Sequence, residues 1–137
     1  MRGCDNVRVD PARDRLRDLS GRLLRLHRLL LDDERLAYER RHGFVAAGDL
    51  FRLVLDDPQF AWLRVLSALI ARIDAAVDGD DVLAAADVEA AFREVYRLLK
   101  GGAGGEFQEK YHDALQRLPD VVMAHAEVSK LFPPSPR

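Results

Sequence analysis

One cysteine in 137 residues, Cys4, leaves an intramolecular disulfide nothing to close, and a reducing compartment, the cytoplasm, fits such a chain. Long apolar runs are missing too. A membrane-spanning helix needs about 20 apolar residues in succession, and the best uncharged stretch here is "VLSALIA" at 65–71. Charges recur through the first 22 residues, so no signal-peptide core is expected there. Net charge is only −2, which sets up no field to recruit nucleic acid or an anionic membrane. Lysine is scarce, 3 residues against 18 arginines, beside one asparagine and two isoleucines. That usage fits a G+C-rich, bacterial genome. Strand-like alternation of apolar and polar positions is nowhere sustained.

What is present reads as helix. Hydrophobic residues make up 48% and charged residues 32%, the balance of one globular domain. Residues 1–43 carry 11 arginines against 8 acids, and the remainder carries 10 basic against 15 acidic residues, an asymmetry that can orient a partner. Asp10-Pro11 predicts a helix start, because Asp caps free N–H groups and Pro lacks the donor that would go unused. Leu16, Leu19, Leu23, Leu26, Leu30 and Ala37 then mark a stripe running to Gly43, with Asp33 as an interruption. A short helix is expected at 47–55. Asp57-Pro58 opens a third at 58–77, apolar on most of its circumference. A fourth is expected at 84–100 on Val88, Phe92, Val95 and Leu99. The last, 106–131, carries Phe107, Tyr111, Leu115, Leu118, Val122 and His125 near one face and is kinked or split at Pro119. The predicted fold is all-α: an up-down four-helix bundle over 10–132 with one extra short helix, flanked by tails at 1–9 and 133–137.

Two Glu-x-x-His spacings, Glu39 to His42 and Glu109 to His112, are half of the ligand set of a di-metal carboxylate bundle. Helical phase places Glu39 about 200° from Ala37, and Glu109 off the stripe of Phe107 and Tyr111. Both are expected on solvated faces, and no metal or other cofactor is expected. His42, beside Gly43, suits a helix C-terminus. "RLLRLH" at 22–27 has an Arg-x4-His spacing that resembles the short motif of HEPN-type ribonucleases, themselves helical bundles. The likeness covers six residues, and that family carries the motif on a late helix, whereas this chain has it on the first. "KGGAGGE" lacks the Lys-Ser/Thr of a phosphate-binding loop and follows no strand. The arginines of the first helix are interleaved with Asp14, Asp18, Asp32 and Asp33, unlike a phosphate-binding face.

No catalytic set assembles from these residues. A polar flank does. His27, Glu34 and Tyr38 lie on one side of the first helix, and antiparallel pairing with the third predicts His27 on Asp74, Glu34 on Ser67 and Arg41 over Phe60. A His27–Asp74 pair would raise the histidine pKa and lock the register. With His125, these residues form a candidate inter-helix pocket walled by Trp62, Tyr96 and Tyr111, the basis of a ligand-binding or enzymatic alternative. The main expectation is a non-catalytic interaction or regulatory module. Its partner would be another protein or its own copy, with a homodimer through residues 10–24, where Leu16, Leu19 and Leu23 would overhang the other helices.

Overall fold

The computed structural model describes residues 10–101 and 104–133. Among these, six α-helices and one 3-10 segment account for all regular structure, and there is no strand. Helix α1, Pro11–His42, starts as its sequence predicts: the Asp10 carboxylate accepts the Arg13 N–H at 3.0 Å with Pro11 in the first turn. It ends at Gly43, whose φ of 87° only glycine adopts readily. Helix α2 spans Ala47–Asp56 and α3 spans Arg64–Asp78, joined by the 3-10 segment Pro58–Leu63. Asp57 caps that segment through the Gln59 N–H at 2.8 Å. Helices α4, Ala85–Lys100, α5, Glu106–Arg117, and α6, Pro119–Ser129, complete the chain. The expected tails fall outside the described residues, apart from Pro133, and so does Cys4.

One cluster of buried side chains runs through the molecule. Helix α1 contributes Leu16, Leu19, Leu23, Leu26 and Leu30, and packs mainly on α3 and α6. Burying each leucine contributes about 2 kcal/mol. Val88, Phe92, Val95 and Leu99 line α4's inner face, as their spacing predicts. Asp33, the interruption in α1's stripe, accepts from the Arg117 guanidinium at 3.1 Å.

Three expectations are corrected. The N-terminal overhang does not exist, because Leu16, Leu19 and Leu23 are buried within the chain, so the premise of a dimer through 10–24 fails. Arg13 holds that end down by donating to the carbonyls of Val77, Gly79 (3.0 Å) and Asp81 (2.7 Å) where α3 terminates. The buried stripe stops instead at Leu30, leaving α1's last three turns without a buried residue. The second correction is phase. Leu118 is extended (φ −119°, ψ 102°), as a residue before proline prefers, so the chain divides at Pro119 and the helical phase resets. Val121, Ala124 and Val128 face the core there, while Val122 is exposed.

The third correction is register. Tyr38, not Arg41, lies by Phe60, with ring centroids 6.0 Å apart. Glu34 reaches Trp62 rather than Ser67, and Asp74 is reached by Ser20, two turns before His27. The 3-10 segment supplies part of the slip, because six residues rising about 2.0 Å each rather than about 1.5 Å advance roughly 3 Å further, the length of two α-helical residues. Residues 58–63 therefore carry the third element further along α1 than a uniform helix would. Ser20, His27 and Glu34 are seven apart, so the face was right although the level was wrong.

Candidate functional site

The α1–α3 seam carries the polar residues that the sequence singles out, and most of them serve the fold. Ser20 Oγ donates to the Asp74 carboxylate, and Ser20 is the one buried polar residue among those described. Glu34 accepts from Trp62 Nε1 at 2.5 Å and Gln59 Nε2 at 3.0 Å, tying α1 to the 3-10 segment. Ser67 donates back to the Arg64 carbonyl at 3.2 Å. His27 lies between these contacts and is left out: its Nε2 is buried and has no hydrogen-bond partner. Burial pushes its pKa down, the reverse of the rise expected from an aspartate partner.

The pocket drawn from the sequence does not close around these groups. Of its residues, Glu34 and Trp62 line a common groove of about 280 Å³ between α1, the 3-10 segment and α5. Tyr111 lines a different groove, between α4 and α5. Its hydroxyl is 2.6 Å from His125 Nδ1, and burial raises the tyrosine pKa. His125 is held low by burial and then by the charge of Lys100. Tyr96 is exposed and packs edge-on to Phe132, at 5.3 Å between centroids.

The Glu-x-x-His residues have other work. Glu39 is not on a solvated face: its carboxylate accepts the Val45 N–H at 2.9 Å and lies 3.5 Å from Arg35. His42 packs tilted against Tyr38, with ring centroids 4.2 Å apart. Glu109 and His112 line the α4–α5 groove, which neither Glu39 nor His42 touches. Among the described residues, no three His, Cys, Asp or Glu side chains are grouped as metal ligands would be.

Glu39 instead helps to build the feature that sequence reasoning missed. Helix α2 has no buried residue. Its half-buried side, Leu50, Leu53 and Val54, rests on the 3-10 segment, while Phe51 is 66% and Leu55 53% exposed. In the link before it, Phe44 is 84% exposed and its neighbour Val45 is buried. Polar contacts pin both ends of α2. Before it, Glu39 holds the Val45 N–H and Arg35 donates to the Val45 carbonyl at 2.7 Å. After it, Arg64 donates to the carbonyls of Val54 (2.9 Å) and Asp57 (3.1 Å). A short apolar helix is thus tied by hydrogen bonds at both ends with large side chains turned to water. The signal for this was in the sequence: five of the ten residues of α2 are Leu, Phe or Val, too wide an apolar arc for one packing face.

No helix among the described residues is long and apolar enough to cross a membrane. Compared with known proteins, the chain matches no family model, no curated protein and no solved structure.

Proposed function

We propose that this protein is a non-catalytic interaction module whose docking surface is the outer face of α2 with Phe44. The observation that carries this reading is the exposure of Phe44, Phe51 and Leu55 on an element that polar contacts anchor at both ends. The scaffold in this reading is an up-down four-helix bundle of α1, α3, α4 and the divided α5–α6 arm, with α2 at a corner. The packing of α1 on α3 and α6 supports that arrangement. Among the described residues, no constellation of side chains supports catalysis as well as this face supports docking.

The experiment joins two measurements. Replacing Phe51→Ser together with Leu55→Ser should move the unfolding free energy by no more than about 0.5 kcal/mol, the range of exposed substitutions. A photo-crosslinking side chain at position 51 should give a discrete protein adduct in cells, and the same group at exposed Arg93 should not. A large loss of stability would mean that the face serves the fold, and adducts equal at both positions would remove its specificity. Either result ends this reading.

A further inference from the structure

We propose that the groove between α4 and α5 binds a small zwitterion with an apolar body, the chemistry shared by a free hydrophobic amino acid and a short apolar peptide. The site goes beyond the docking reading, since none of its lining residues belongs to α2 or to the link before it. Two stretches that the sequence singles out, and that the docking surface leaves unused, meet there. Lys100 comes from "KGGAGGE", and Glu109, Tyr111 and His112 come from the second Glu-x-x-His spacing. The cavity measures about 380 Å³, within the range of about 300–1,000 Å³ typical of small-molecule sites.

Its walls are apolar. Leu99 is the last buried residue of α4, Tyr111 is buried in α5, and both line the groove with the half-buried Leu115. Gln108 ties the two helices together here by donating to the Leu98 carbonyl at 3.3 Å. The Tyr111 hydroxyl is already engaged, 2.6 Å from His125 Nδ1. Polar recognition therefore falls to the exposed charges at the rim.

That rim carries one charge of each sign, and the chain answers neither. Lys100 Nζ lies 5.7 Å from the ring centroids of Tyr96 and Phe132, an aromatic setting that positions an ammonium without neutralising it. Among the described residues, Lys100 has no carboxylate within 4.0 Å and Glu109 has no cation within that distance. The groove between α3 and α4 shows the contrast: its Arg72 and Glu94 close on each other at 2.6 Å. An apolar anion in the α4–α5 groove would meet Lys100 but be repelled by Glu109, and an apolar amine would face the opposite imbalance. A zwitterion satisfies both, its carboxylate toward Lys100, its ammonium toward Glu109 and its apolar body on Leu99 and Leu115. Because both charges are exposed, the affinity is low, on the order of 1 mM.

The test is titration of the full chain, at constant pH, with L-phenylalanine, its amine-free analogue 3-phenylpropanoate and its carboxylate-free analogue 2-phenylethylamine. Imidazole NMR signals report binding. L-Phenylalanine should move those of His112, on the groove, and His125, on Tyr111, and leave His42 still. It should bind more tightly than either analogue. Lys100→Ala should weaken it about fivefold, the upper end for one exposed ion pair. Glu109→Gln should weaken it similarly and bind 3-phenylpropanoate more tightly than the wild type does. Neither side chain makes a hydrogen bond or ion pair among the described residues, so both variants should melt as the wild type does. L-Phenylalanyl-glycine, with the same ring and its charges farther apart, separates the two sources: tighter binding than L-phenylalanine assigns the site to a peptide, weaker binding to a free amino acid. Signals of His112 and His125 that stay still at tens of millimolar overturn the proposal. Equal affinities for L-phenylalanine and its two analogues overturn it too, as does a Lys100→Ala variant that binds L-phenylalanine like the wild type.

Discussion

His27 is the residue whose chemistry is least at ease in this fold. Its neighbours on the seam, Ser20 and Glu34, satisfy partners across the interface, yet its own Nε2 is buried and unpartnered. An unsatisfied buried polar atom costs about 1–3 kcal/mol, and a nearby apolar side chain of similar volume avoids that penalty. His27→Leu should therefore stabilise the protein at neutral pH by about 1 kcal/mol. The pH dependence has a definite sign. Burial lowers the pKa of His27 below its ordinary 6.5, so the unfolded chain binds the proton more readily. The neutral ring's contribution is fully present above pH 6.5 and is lost as pH falls from there toward the lower folded value. His125 titrates in the same direction. His27→Leu should thus flatten, without abolishing, the decline of the melting temperature between neutral and mildly acidic pH. An unchanged slope would show that His27 is solvated.

At the scale of elements, α2 is the one whose structure depends most on its ends. Ten residues are fewer than the roughly 12–15 that an isolated helix needs in water. Its outer face gains nothing from burial, so the anchors at Val45, Val54 and Asp57 carry its order. Glu39→Ala leaves the Val45 N–H without an acceptor. Amide exchange across 47–56 should then quicken about tenfold, the equivalent of 1.4 kcal/mol. Exchange in α1, α3 and α6 should change far less. Uniform acceleration would mean that α2 opens only with the whole molecule. The 3-10 segment belongs to this scale as well: it buries Phe60, Trp62 and Leu63 while lengthening the path, and that displaces every contact between α3 and α1.

At the scale of the whole molecule, the start of α1 is core. Deleting residues 1–22 removes Leu16, Leu19 and Ser20 from the buried set and Arg13 from the end of α3. Losing two buried leucines by truncation to alanine alone would cost about 2–5 kcal/mol each. Against a typical stability of about 5–15 kcal/mol, the deletion should leave no cooperative unfolding transition by circular dichroism. A truncated chain that still melts cooperatively would show that α3, α4 and α6 close without α1's first turns.

Much of this arrangement was legible in the chain. Asp10-Pro11 and Asp57-Pro58 marked starts and Pro119 a break because capping and proline geometry are local, although 58–63 wound as 3-10 rather than α, and the stripes of α1 and α4 followed from a period set by the backbone. Heptad spacing likewise put His27 and Glu34 on one face. Level along the seam was not legible, because a whole-heptad slip leaves every face unchanged, and the 3-10 segment adds an advance of its own that apolar spacing does not reveal. Nor did the chain say where along α1 the cover stops, since the stripe continues to Ala37 while burial ends at Leu30. The sequence by itself determined where helices begin and which sides are apolar. Tertiary structure alone decided which of those sides are covered, because burial is a property of neighbours brought together from distant parts of the chain.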